Sequence, residues 1–349
     1  MKILCTEFPC AGHFILTGWK NVLEHMGHTW HWWSPKQKSA FDTFSEVKPD
    51  IFIGTTYGLD RAIIKCLGNN PNTLVVLKAN NWGKADNDID PKEYPIGIAD
   101  DKEKSIILEL KKQIGKPDLI FNYYHKNHME YTMGSWEEAG ISTIDMQPAA
   151  DLYSLWPLGI FDQNLQSDIA FVGGYWGYKA KNLDKYLLPI CTPVGKYNVK
   201  IFGNQSWPYP QYFGTIDDAS IKNLYASTTI CPNIDEPHAT DFGFELNHRI
   251  FQLAASKAFC ISNPVKGISD VFNKDEMVVA DDPEHFADLV HNFIVNPDMR
   301  LKHINECFST VIQNHTYHHR IINLLNRLGH KDEFKIVNKL YEDIRSDTV

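Results

Sequence analysis

The sequence predicts an α/β protein of two doubly wound domains, and three observations support this. At 349 residues the chain exceeds what one ordinary core organises, so two domains of roughly 150 residues each are expected. Short apolar runs alternate with amphipathic stretches, the pattern of parallel strands joined by helices. That alternation stops at Pro148–Asp168, which carries Pro157 and Gly159 without periodicity, and then it restarts.

In the first half, apolar runs predict strands at 2–8, 29–33, 50–54, 73–78, 118–123 and 142–145. Helical periodicity predicts helices at 15–26, 60–67, 102–114 and 129–139, the first ended by Gly27. In the second half, strands are expected at 168–172, 197–202, 211–214, 230–232, 258–262 and 277–280. Helices are expected at 183–191, 217–226, 247–255, 283–295, 298–313 and 318–328, with an amphipathic close at 332–345. The resulting domains are 1–160 and 161–328, with 329–349 as a C-terminal helix that packs back on the first.

The densest stretch is Ile230–Phe272, a strand, a polar loop, a helix opening on Asn247, His248 and Arg249, and a second strand. Such a βαβ unit puts a crevice at the strand C-termini, where a helix N-terminus offers free N–H groups to a phosphate. Arg249, in the first turn, carries the planar fork that grips an oxyanion bidentately. Upstream, Asp168–Val172 runs into Gly173-Gly174, where the backbone allows close approach, and Lys179 and Lys181 follow near a helix start. A plain strand-to-helix turn with solvated lysines is the alternative there. GGYWG does not have dinucleotide-fingerprint spacing and no G-K-[ST] P-loop occurs, which disfavours redox cofactors and ATP hydrolysis.

The formal charge is −9, and residues 1–150 hold 16 Lys and Arg against 19 Asp and Glu, so wholesale binding of a polyanion is disfavoured. Seven scattered cysteines fit reduced thiols in a cytoplasm, and no window is apolar enough to span a membrane. Cys5 and Cys10 have no partner pair for a zinc site.

In the first strand-to-helix loop, Gly12 permits close approach and His13 is a candidate base or hydroxyl partner, the alternative being an exposed or capping histidine. Around the second-half loop the acids to weigh are Asp235, Glu236, Asp241 and Glu245. Thr29–Trp33 could stack on a sugar or base, or simply fill a core. His125-Lys-Asn-His128 at a strand end is polar and could line a cleft, and the histidines of 315–320 have the wrong spacing to chelate.

Five segments jointly carry a resemblance: DIAFVGG, KIFGNQSWPYPQYFG, LYASTTICPNIDEPH, LNHRIFQLAASKAFCIS with GISDVF, and NHTYHHR. Over about residues 168–325 the chain resembles the CgeB-like, spore-maturation-type glycosyltransferases of the GT-B fold. The resemblance implies two Rossmann-like domains facing across a cleft, with a nucleotide sugar held mainly by the second. Gly173 and Gly174 would face the donor phosphates, and Asn247 and Arg249 would contact the donor. Lys179, Gly203, Asn233, His238 and His248 would complete that side. Gln252 stands where the second glutamate of related retaining enzymes is expected, and Phe244 or Glu245 where the first is. An amide can still hydrogen-bond ribose.

The resemblance implies no cofactor beyond the nucleotide-sugar co-substrate and no metal, with His13, Asp241 and Glu245 as catalytic candidates in a retaining transfer to a hydroxyl. Gly12, Trp82 and His125 would lie on the acceptor side. The acceptor could be a saccharide, a small molecule or a hydroxymethylated DNA base, the last needing Lys20, Lys78, Lys84 and Lys126 to meet phosphates while Trp82 or Tyr124 stacks. A nucleotide-sugar epimerase and a non-catalytic sugar-nucleotide binder are the other readings.

Overall fold

The computed structural model describes residues 1–8, 11–83 and 97–346, so Pro9, Cys10 and Lys84 lie outside the described residues. The chain divides into two compact units. The first comprises Met1–Gln147 with His318–Ile344, and the second is built on Pro148–Tyr317. The divisions fall earlier than the borders expected at 160 and 328.

In the first unit, β1 (Lys2–Thr6), β2 (Thr29–Trp33), β3 (Ile51–Thr55), β4 (Leu74–Lys78), β5 (Leu119–Asn122) and β6 (Thr143–Asp145) form a parallel sheet ordered β2-β1-β3-β4-β5-β6. Helices α1 (Ala11–His25), α2 (Ala40–Val47), α3 (Arg61–Asn69), α4 (Asp101–Ile114) and α5 (Met129–Glu138) join the strands. The strands are continuous apolar runs because both sheet faces are covered: Leu4, Phe52, Val76 and Phe121 are all fully buried. Ser39, Asp60 and Asp100 cap α2, α3 and α4 by accepting a first-turn N–H, and Gly115 ends α4 in the left-handed region.

The second unit opens on the short α6 (Leu152–Leu155), inside the stretch expected to be irregular. It continues through β7 (Ser167–Val172), α7 (Gly177–Cys191), β8 (Val199–Phe202), α8 (Asp218–Ala226), β9 (Thr228–Asn233), α9 (Pro237–Phe242) and α10 (His248–Ala255). It closes with β10 (Cys260–Ser262), β11 (Val278–Val279), α11 (Pro283–Val295) and α12 (Pro297–Asn314). Its parallel sheet runs β11-β10-β9-β7-β8. Ile169, Phe171, Ile201, Ile230 and Ile261 form its core with Leu183, Leu187 and Phe286 of the covering helices. The strand expected at 211–214 is only an isolated bridge from Tyr212 to Ile201.

Helices α13 (Tyr317–Arg327) and α14 (Lys331–Ser346) follow, and residues 318–344 count with the first unit. There Val337 and Tyr341 are buried, and Glu333 reaches His28 Nε2 at 3.1 Å.

Candidate functional site

In the second unit the connections from β7 run to opposite sides, β8 on one and β9 on the other. The C-terminal ends of β7 and β9 therefore flank the crevice of an open α/β sheet. β7 ends at Val172 and passes through Gly173-Gly174 into α7. β9 ends at Asn233, and after α9 the chain enters α10, whose Asn247 Oδ1 accepts the Ile250 N–H at 3.2 Å.

Arg249 ties this corner together. Its Nε and Nη2 donate to the Val172 carbonyl at 3.1 and 2.9 Å, Nη1 reaches the Ile234 carbonyl at 3.4 Å, and the guanidinium lies 4.4 Å from the Phe171 ring centroid. The fork expected to grip a phosphate bidentately thus grips the last carbonyl of β7. A buried carbonyl without a donor would cost about 1–3 kcal/mol, which makes Arg249 part of the corner's frame.

Lys179 is the complementary case. It stands in the first turn of α7, half-buried, with no hydrogen bond or ion pair to any described residue. Burial, and then the neighbouring Arg249 charge, pull its ammonium down from 10.5 to about 8, with Glu236 and Asp235 offsetting in part. Trp176 precedes α7 without a side-chain cap, so the first-turn N–H groups point the same way unclaimed by a cap. Lys179 therefore stands at an uncapped helix start within electrostatic reach of Arg249.

Gly173 and Gly203 are glycine for packing reasons. A Cβ on Gly173 would sit 2.8 Å from Arg249 Nη2, and one on Gly203 would sit 2.1 Å from the Gly173 carbonyl oxygen. Trp207 Nε1 donates to that same oxygen at 3.0 Å. A Cβ on Gly174 would meet only ordinary contacts at 3.4 Å.

The other expected donor-side residues separate. Asn233 is fully buried, its amide donating to Asp235 Oδ2 at 2.8 Å and Ser262 Oγ at 2.9 Å, so it organises the loop from beneath. Asp235 is buried in the same network; burial raises its carboxyl, and the Arg249 charge opposes that. His238, on α9, stacks on Tyr178 with ring centroids 5.9 Å apart and 17° between planes, and Trp176 packs on Tyr178 in turn. Asp241 is exposed and Glu245 half-buried; neither carboxylate hydrogen-bonds to a described residue. His248 and Gln252 turn to the segment at 148–150: Gln252 Nε2 donates to the Ala149 carbonyl at 3.0 Å and meets the His248 ring. Burial pulls His248 down to about 4.

In the first unit the candidates occupy three neighbourhoods at strand C-terminal ends. His13 lies within the first turn of α1 and is exposed, with its ring 5.1 Å from Trp32; a Cβ on Gly12 would crowd Phe8 at 3.0 Å. Trp82 packs edge-to-face on Trp136 at 4.6 Å beneath the Lys104 ammonium. His125 is buried and its Nδ1 accepts the Asn127 N–H at 3.3 Å, a capping role. Lys78 lies over both Tyr57 and Tyr123, Lys20 pairs with Glu24, and Lys126 stands in a short 3₁₀ turn.

Two features escape sequence reading. Glu103 is a buried carboxylate accepting from the Thr56 hydroxyl and from Asn80 Nδ2 at 2.9 Å. Its only sequence signal is its place three residues after the cap Asp100. The Trp176–Tyr178–His238 stack is spread over two elements 60 residues apart. Among the described residues no group of three His, Cys, Asp or Glu is placed to hold a metal, and no helix is long and apolar enough to cross a membrane.

Residues 187–326 match the family model described as Glycosyl transferase-like. No curated protein matches in sequence. In fold the chain is similar to sucrose-phosphate synthase from Thermosynechococcus elongatus (TM-score 0.60, 8% identity, 99% of each chain covered). It is similar also to Anabaena Alr3699/HepE in complex with UDP and glucose (TM-score 0.63, 10% identity, 94% of this chain and 99% of that one). A third similar structure is an alpha-glucosyltransferase in complex with UDP-glucose and DNA containing an abasic site (TM-score 0.64, 10% identity, 97% of this chain and 98% of that one). With two parallel-sheet Rossmann-like units and a glycosyl transferase-like stretch at residues 187–326, the chain has the GT-B fold.

Proposed function

We propose that the protein transfers a sugar from a nucleotide-sugar donor to a hydroxyl acceptor, and that the donor diphosphate lies at the β7–α7 and β9–α10 corner of the second unit. The observation that carries the reading is Lys179, an unpaired, half-buried ammonium beside Arg249 at an uncapped helix start. As the glycosidic bond to the diphosphate breaks, negative charge grows on the leaving oxygen. Lys179, the Arg249 hydrogens left over from Val172, and the α7 N–H groups are donors fixed in place before the reaction, the arrangement that stabilises such charge best.

These cations take the part a divalent metal could play, so the reading is of metal-independent transfer without a resident cofactor. His13, Asp241 and Glu245 are the base candidates, and retention is the stereochemistry the reading carries. The reading places the protein in the CgeB-like subtype, on the five motif segments, and in a cytoplasmic setting, on its seven scattered cysteines. UDP-glucose, present in the solved α-glucosyltransferase complex, is the donor to test first.

The test is a melting screen with UDP-, GDP-, ADP- and CDP-sugars, with and without EDTA. A bound donor at 100 times its Kd stabilises by about 2.7 kcal/mol. No shift with any donor would reject the reading, and a shift that EDTA abolishes would reject metal independence.

A second reading, with a hydroxymethylated DNA base as acceptor, is favoured by cations set against aromatic faces in the first unit: Lys78 with Tyr57 and Tyr123, Lys104 with Trp82. It requires transfer that weakens steeply with salt, by a log–log slope of about −0.9 for each phosphate contact. A saccharide acceptor leaves the rate nearly indifferent to salt.

A further inference from the structure

Near residue 148 and again near residue 317 the chain passes from one unit to the other, and these two stretches pair with each other. The Ala150 N–H donates to the His315 carbonyl at 2.8 Å, and the Tyr317 N–H to the Ala150 carbonyl at 2.9 Å. Just beyond, Arg320 Nε donates to the Gln147 carbonyl at 2.8 Å. Helix α10 lies against this pair. Gln252 holds the Ala149 carbonyl, the His248 and Tyr317 rings are 5.8 Å apart, and so are those of Phe251 and His315.

His248 and Gln252 are one turn apart and share a face, whereas Arg249 is rotated about 100° from His248 and points to Val172. One helical turn therefore touches the phosphate corner on one side and both crossing stretches on the other. The choice of amide over carboxylate at 252 follows from this. Gln252 can donate to the Ala149 carbonyl and also to a neutral His248, whereas a glutamate would set its charge against a carbonyl oxygen with no proton to share.

We propose that Gln252 and His248 are positioning residues that fasten the donor-site helix to the two crossing stretches, so that donor occupancy and the ordering of those stretches are coupled. The proposal rests on the donor reading above. It gives Gln252 a task other than the ribose contact implied by the family resemblance.

The test is hydrogen exchange on the full chain, reading the Ala150 and Tyr317 amides with and without saturating UDP, beside calorimetric UDP affinity. In the natural sequence UDP slows both amides at least about fivefold, the lower end of an ordinary coupling free energy. In Gln252→Ala that slowing disappears while the UDP Kd stays within about threefold. Gln252→Glu, which keeps the side-chain length, gives the same loss and serves if the alanine variant fails to fold. Undiminished slowing in a folded variant would overturn the coupling, and so would a UDP Kd weakened tenfold or more, since Gln252 would then be a donor ligand. Natural protein that binds none of UDP, GDP, ADP and CDP would overturn the donor reading and this assignment with it.

Discussion

Replacing Lys179 with methionine should make the unliganded protein more stable and the donor site nearly useless. Burial and the Arg249 charge hold this ammonium at about 8 instead of 10.5. At neutral pH the folded state therefore carries a charged lysine at a cost of roughly 3 kcal/mol, less where the chain end reaches water. Methionine keeps the apolar stem and removes the charge, so a gain of about 1–3 kcal/mol is expected, or roughly 2–6 °C in Tm. The sign is checkable by pH. The lysine penalty is complete below pH 8 and fades as pH rises from 8 toward 10.5, so the variant's advantage is largest at pH 7 and shrinks in base. Losing charge-assisted bonds to a diphosphate should weaken UDP binding by about 1.5–3 kcal/mol, ten- to hundredfold. Melting curves at pH 7 and 10, each with and without UDP, measure all of this. A Lys179→Met protein that melts lower without ligand and keeps its full UDP-induced shift would show that no anion site lies here.

Arg249→Lys should do the reverse to stability, because a single ammonium cannot serve both the Val172 and Ile234 carbonyls; a loss of about 1–3 kcal/mol by urea melting is expected, alongside weaker UDP binding. Gly203→Ala puts a methyl 2.1 Å from the Gly173 oxygen, backbone against backbone, and should cost about 2–4 kcal/mol. Gly174→Ala, meeting only 3.4 Å contacts, should be nearly neutral, and equal melting of the two variants would contradict the packing account. His248 and His318, held by burial at about 4 and about 3, remain neutral in the fold while the unfolded chain takes up protons below about pH 6.5. Stability should thus fall as pH drops from 6.5, by about 2 kcal/mol for each histidine at pH 5. In His248→Gln the loss between pH 7 and 5 should shrink by that amount, and an unchanged loss would exclude His248 as a contributor.

The sheets were readable because both are buried on two faces, which turns their strands into continuous apolar runs bounded by Gly, Pro or Asn. The short helices were not. Ala40–Val47 carries a clear cap in Ser39, yet eight residues burying chiefly Ala40, Thr43 and Phe44 give little periodicity. Pro237–Phe242 is flanked by proline at its first turn and Gly243 in the left-handed region, but its interior is too polar to read as a helix. The start of α7 lies earlier than its pattern suggests for a related reason: Trp176-Gly177-Tyr178 is uncapped and aromatic, so the sequence puts Lys179 near a helix start and not within the first turn. For the site, sequence singled out Gly173, Gly174, Asn247 and Arg249, which lie where β7 ends and α10 begins. It could not say what each side chain touches, because a carbonyl at a strand end is invisible in sequence and competes with a phosphate for the same guanidinium.

That competition explains why the residues of this corner belong together although they are scattered from 172 to 263. Arg249 reaches Val172 only because position 173 has no Cβ, and Gly203 lacks one because the Gly173 carbonyl lies against it. Asn233 and Asn263 hold Asp235 from beneath, and Asp235 in turn faces the two cations. Each of these residues is satisfied by another, and the set would be a closed structural knot but for Lys179, which no described residue satisfies. A fold carries such a charge only at a loss, and the proposed binding of the donor diphosphate would offset it.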